Sequence, residues 1–317
     1  MFLEGGNFCR GRVGLGGWGE NVVVWGMMMK CLSGWLLGLC FLQTMLVGQE
    51  LPDVTSVAAD LEVPVMVMDG PEAGKRVRAV TTGWEETEVH HALWLPPEWK
   101  RTSKWPVVVE LAGNGGYKNK FGDICDGSVA GCRLGYGMSG GRGMIWVSAP
   151  FVEVAGDGAK RNAEKWWGDV EETKRYLRAT VAEVCAQFGG DPERVVLAGF
   201  SRGSIGCHYI GLHDEEMAGL WRAFVCHSHF DGVIEKWPYP GADRGSALER
   251  LKRLGNRPEW ISHEGGTGQT EAYLKDTGVQ GAWTFVAMPY RNHTDAWVLR
   301  PIPERARLRA WLAEALR

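Results

Sequence analysis

The chain has 317 residues, 45% of them hydrophobic, and a formal net charge of −3. That length buries a full core, as one large domain or as two. Acidic and basic residues are interspersed, which excludes a basic nucleic-acid face and a charged tail. Sixteen Trp is high for this length; most are expected in the core or as groove walls, the sharper alternative being an aromatic-lined cleft for sugars or aromatic esters.

The first segment is not expected to fold with the rest. Residues 31–47 form an uncharged run of 17 behind Lys30 and ahead of Gly48-Gln49-Glu50. That is the n-region and h-region of an export signal, slightly short for a bilayer span. Cleavage is placed after Gly48 or Gln49, and Met27, Met28 and Met29 offer start sites that would leave 1–26 outside the folded protein. An uncleaved anchor helix is the alternative. The expected division is an extension and signal peptide over 1–49 and one domain over 50–317, secreted or periplasmic, with no stable membrane association after cleavage. Removing 3 basic and 2 acidic residues leaves 32 against 36, a mature charge of −4. Five Cys remain. Cys125 and Cys132 share a Gly-rich loop and are the best pair for a disulfide, while Cys185, Cys207 and Cys226 read as buried thiols.

From residue 63 onward strands alternate with helices. Residues 63–68 and 76–82 flank a turn-forming stretch and read as a hairpin. Strands follow at 90–95, stopped by Pro96-Pro97, at 107–111 running into Ala112-Gly113-Asn114-Gly115-Gly116, and at 144–147. Residues 170–188 carry apolar side chains at helical spacing. Residues 194–198 form a short continuous apolar strand, as in a parallel sheet covered on both faces. A helix at 204–212, strands at 223–226 and 260–261, a helix at 271–274, a strand at 283–288 and a closing helix at 304–316 complete the pattern. The fold class is α/β: a mostly parallel sheet of about eight strands flanked by helices, with an antiparallel N-terminal hairpin. The insert 231–258 is expected to cap the site or cover its edge.

The strongest chemical signal is Gly199-Phe200-Ser201-Arg202-Gly203. It follows an apolar strand and precedes a helical segment, the context a nucleophile elbow requires. A Ser in so sharp a turn takes strained backbone angles, and flanking Gly residues let neighbouring chain pass. The hydroxyl then lies over a helix N-terminus, where developing negative charge is stabilised.

In this string, and in the order and spacing of elements over about 60–316, the chain resembles the α/β-hydrolase superfamily. Within it the chain is most similar to extracellular esterases and polyester depolymerases, a group including feruloyl and acetylxylan esterases. The resemblance implies that 50–317 is a catalytic domain with Ser201 as nucleophile. It implies that the amides of Asn114 or Gly115, with that of Arg202, form the oxyanion hole; the His often found at the start of that loop is Ala112 here. The base comes from the loop after the last strand, where His293 stands. The acid slot, after the penultimate strand, holds Glu264, 29 residues before His293. Glu264 is preferred, with Asp231, just beyond the preceding strand, as its rival. Asp295 is read as fixing the loop.

His227-Ser228-His229-Phe230-Asp231 has two readings. On a strand the three alternate residues share a face and could bind zinc; the preferred reading is that His227 and His229 line the substrate pocket. Arg202 also has two: binding a substrate carboxylate, as the similar Gly-x-Ser-Arg of glucuronoyl esterases suggests, or pairing with a nearby acid. The resemblance therefore implies a serine hydrolase for carboxylic esters, carbohydrate-linked or polymeric, acting through an acyl-enzyme. Its partner would be a small-molecule or polysaccharide-linked ester, with no cofactor, no metal and no nucleic acid. The alternatives are a non-catalytic carbohydrate- or partner-binding protein on the same fold, a peptidase with the same triad, and a zinc hydrolase.

Overall fold

The computed structural model describes residues 50–317; the segment read as an export signal, the expected cleavage site and the candidate start methionines lie outside the described residues. No helix among the described residues is long and apolar enough to cross a membrane.

In chain order the strands and helices are β1 (Arg76–Ala79), β2 (His91–Trp94), β3 (Trp105–Leu111), β4 (Tyr117–Lys118), β5 (Ile124–Cys125), α1 (Leu134–Ser139), β6 (Ile145–Ala149), β7 (Phe151–Val154), β8 (Lys160–Ala163), α2 (Val170–Phe188), β9 (Gly190–Phe200), α3 (Arg202–Tyr209), α4 (Glu215–Ala218), β10 (Ala223–His227), α5 (Arg244–Leu251), β11 (Pro258–Glu264), α6 (Gly268–Thr277), β12 (Ala282–Met288) and α7 (Pro303–Ala315). Eight strands make one sheet in the order β1-β2-β6-β3-β9-β10-β11-β12. From β6 to β12 neighbours run parallel. The antiparallel start is β1 with β2, and residues 63–68 add only a single bridge, Val67 to Val77.

Burial on both faces explains the continuous apolar strands. In β9, Val195 and Leu197 join one core layer while Val196, Ala198 and Phe200 join the other. Val107, Val109 and Leu111 of β3 face the first layer and Val108 the second. The first layer is covered by α2, α3, α5 and α6 through Leu177, Ile205, Leu251 and Leu274, the second by α1 and α7 through Leu134, Leu308 and Leu312. Such alternation with no polar face is what a doubly covered parallel sheet requires.

Helix α2 fills the predicted 170–188 because its ends are marked. The Asp169 side chain accepts from Glu172 N, Glu171 and Glu172 stand in the first turn, and Gly189 closes the helix at φ +75°. Two small ribbons, β4 with β5 and β7 with β8, grow out of loops beside the sheet's C-terminal edge. Cys125 and Cys132 are free thiols, not a disulfide; both line a cavity of about 70 Å³ under the β3 loop.

Candidate active site

The centre of the site is the turn from β9 into α3. Ser201 sits there at φ +54° and ψ −112°, a conformation that costs a residue with a Cβ about 1–3 kcal/mol. Two contacts keep it in place. Ser201 N donates to His227 O at 2.9 Å, and Ser201 O accepts from Ile205 N at 3.2 Å. The flanking glycines are required for space: a Cβ on Gly203 would sit on the Leu111 carbonyl, and one on Gly199 would strike the Gly203 carbonyl group. Gly203→Ala is therefore expected to destabilise the protein by about 3 kcal/mol or more, measured by urea unfolding; a neutral substitution would show that the elbow packs otherwise.

His293, in the loop after β12, faces this serine with Nε2 3.0 Å from Ser201 Oγ. Its Nδ1 is hydrogen-bonded to Glu264 Oε1 at the end of β11. The other Glu264 oxygen accepts from Ser228 Oγ at 2.6 Å. Burial pushes the Glu264 carboxyl up. The hydrogen bond and charge of His293, with His227 and His263 nearby, outweigh it and hold the group below the usual carboxylate range. An ionised Glu264 holds the ring with Nδ1 protonated, so Nε2 is free to take the proton from Ser201.

The loop carrying His293 is tied down from several sides. Asp123 accepts from His293 N at 3.0 Å and from Asn292 Nδ2 at 2.9 Å. Asp295 is paired with Arg133 at 3.0 Å. His227 Nε2 lies 3.1 Å from Thr294 O, and its Nδ1 lies 3.0 Å from Ser262 Oγ. His227 is thus buried beneath the loop and does not line the pocket, whereas His229 does. The expected common face fails because β10 ends at His227 and Ser228 takes φ +83°. This also separates the three residues of the zinc reading. Asp231 lies elsewhere, buried against Arg250 at 2.7 and 3.1 Å and accepting from Tyr239 at 2.9 Å. It has no bond to His293, which corrects its standing as rival acid.

Burial pushes His227 down from 6.5 to about 4. The unfolded chain takes up this proton near pH 6.5 and the folded chain not until about 4, so the residue's contribution is lost as pH falls through that window. The stability gap between wild type and His227→Gln is expected to shrink by about 2–3 kcal/mol across it. Paired urea titrations check this, and a constant gap would contradict it.

Two of the amides assigned to the oxyanion hole stay available and one does not. Gly115 N donates to Glu164 O at 2.8 Å and is used up; a Cβ there would also meet the Asp126 carbonyl. The amides of Asn114 and Arg202 have no acceptor among the described residues, and both residues line the Ser201 pocket. The Asn114 side chain accepts from Trp166 N at 2.7 Å and fixes that corner. The Arg202 guanidinium is spent on structure. It is 2% exposed, donates to Trp166 O at 2.7 Å and Ala163 O at 3.2 Å, and stacks 4.4 Å over Phe151. Among the described residues it pairs with no acid, and its donors are directed at backbone carbonyls rather than at the pocket.

The pocket over Ser201 has a volume of about 270 Å³ and is walled by Tyr117, Trp166, Trp237 and His229. Trp237 comes from the 231–258 insert, which therefore forms one wall. Burial pushes His229 down to about 4, so a neutral imidazole faces the pocket. Beyond His229 a groove of about 530 Å³ continues along His263, Gly266 and Gln269. Sequence reasoning missed Asp123, Ser228 and the particular tryptophans; the Trp count was the only signal for the last.

No protein-family model matches the chain, and no curated protein matches it in sequence. Among solved structures it is similar to an S-formylglutathione hydrolase from Agrobacterium tumefaciens (TM-score 0.54, 17% identity, 80% of this chain and all of that one). It is similar also to a fungal esterase from Rhizomucor miehei (TM-score 0.52, 16% identity, 83% and 90%). A protein described as a dipeptidyl aminopeptidase IV from Bacteroides ovatus matches at TM-score 0.51 and 14% identity over 78% of this chain, which spans 37% of that longer protein. The architecture is the α/β-hydrolase fold.

Proposed function

We propose that the chain is a serine hydrolase cleaving carboxylic esters. The observation that carries this is the continuous line Ser201–His293–Glu264, built on a strained strand-to-helix elbow. Ser201 Oγ attacks the acyl carbon as His293 takes its proton. The amides of Asn114 and Arg202 receive the oxyanion; the alcohol leaves with the proton from His293; water then releases the acid by the same route. The aromatic walls fit an apolar or aromatic group next to the scissile bond, and the groove beyond His229 gives room for the remainder of a larger ester. Export is the reading that the segment 30–50 supports.

A fluorophosphonate probe tests the central claim. Stoichiometric labelling is expected, located by peptide mapping to Ser201 and abolished by heat unfolding. Folded protein that takes up no probe would favour the non-catalytic binding reading instead.

A further inference from the structure

Behind the nucleophile helix lies a polar cluster that ester hydrolysis leaves without a task. The β10–β11 register sets Phe224 opposite Glu259 and Cys226 opposite Ile261. Strand alternation therefore sends Cys226 and Glu259 to the sheet face that α3 covers. His208, near the end of α3, meets them there: its Nε2 is 2.7 Å from Glu259 Oε1. The Cys226 thiol donates to the same oxygen at 3.1 Å. One ligand atom from each of the three lies within 4.8 Å of the others, and their exposures are 1%, 1% and 0% for His208, Cys226 and Glu259. Two neighbours thus share one carboxylate oxygen. The second, Glu259 Oε2, is buried with no partner at all, although a carboxylate sealed from water is expected to use both.

We propose that His208, Cys226 and Glu259 form a structural site for a zinc ion, with both carboxylate oxygens of Glu259 turned to the metal. Imidazole nitrogen, thiolate sulfur and carboxylate oxygen are the donor set zinc takes in four-coordinate sites. The charges close: one thiolate and one carboxylate balance the dication, with His208 neutral. Binding sends the Cys226 proton to solvent and requires His208 Nε2 to be free of hydrogen. Zinc sits at about 2.0–2.3 Å from such ligands, so the ligand atoms part slightly from their hydrogen-bonded spacing and Glu259 Oε2 gains a partner. The surrounding shell is apolar, with Phe230 edge-on at 4.4 Å and Phe224 at 6.1 Å from the His208 ring, which strengthens each metal–ligand bond. A site this enclosed fills while the chain folds. It ties the helix behind Ser201 to two strands.

Metal analysis of the unaltered chain decides the matter independently of catalysis. Protein expressed with added zinc and purified without chelator is expected to hold about one zinc per chain, retained against a chelator while folded and released on unfolding. Refolding with cobalt should give a thiolate-to-cobalt charge-transfer band that Cys226→Ser removes. Folded protein that is metal-free after expression in zinc, and shows no such band after refolding with cobalt, overturns the site. Fluorophosphonate labelling of Ser201 in the same sample reports on the hydrolase reading separately.

Discussion

Ser201→Ala is expected to lower kcat on a small acyl ester such as p-nitrophenyl acetate by about 10⁴–10⁶-fold. KM should change little, because the walls of the pocket are Tyr117, Trp166, Trp237 and His229 and none of them depends on the hydroxyl. Stability should move by no more than about 1 kcal/mol. The strain at φ +54° is a property of any residue with a Cβ, so Ala inherits it and the elbow keeps its shape. What is lost is one hydrogen bond to His293 and the nucleophile itself. Residual turnover above solvent should persist, since the amides of Asn114 and Arg202 still favour a tetrahedral oxyanion. Retention of full activity by a folded variant would remove Ser201 from the reaction and, with it, the ester-hydrolase proposal.

Sequence legibility followed the range of the interactions that fix each group. The elbow is local: strand, five-residue turn and helix are consecutive, and the steric need for Gly199 and Gly203 is visible in the string. His293 could be placed from topology, because a loop after the last parallel strand opens at the same edge as the elbow. The oxyanion loop was half legible. Its glycines are evident, but which amide stays free is settled by Glu164, whose carbonyl takes Gly115 N from a distant ribbon. The His227–His229 pair misled because strand alternation was extended past the strand's end, and nothing in the string shows that Ser228 turns to positive φ. In the string Arg202 could equally bind a substrate carboxylate or pair with a nearby acid. Its guanidinium is instead claimed by carbonyls at Ala112, Gly127, Ala163 and Trp166, which come together only in the folded chain. Asp123 carries no motif, and its partners Asn292 and His293 lie 169 and 170 residues away.

Glu264→Gln and Asp231→Asn should part company in a way that assigns the third member of the triad. Glu264→Gln is expected to drop kcat by about 10⁴-fold. The Gln amide nitrogen can donate to Nδ1, which places the hydrogen on Nε2 and leaves the imidazole unable to accept from Ser201. The fold should persist, since Ser228 Oγ, the present donor to Oε2, can still donate to the amide oxygen. Asp231→Asn is expected to do the reverse. The side chains of Arg250 and Asp231 are 9% and 1% exposed and bonded through two oxygens, so removing the negative charge leaves a guanidinium buried without its counter-ion. Breaking such a pair costs about 3–5 kcal/mol, read as a lowered urea midpoint, while kcat stays within a few-fold because no bond links Asp231 to His293. The opposite result, a stable and inactive Asp231→Asn beside an active Glu264→Gln, would transfer the acid role to Asp231 and require the insert to swing toward His293. The burial of Asp231 against Arg250 and Tyr239 argues against that movement, because it would expose a salt bridge and a tyrosine hydrogen bond that the core now encloses.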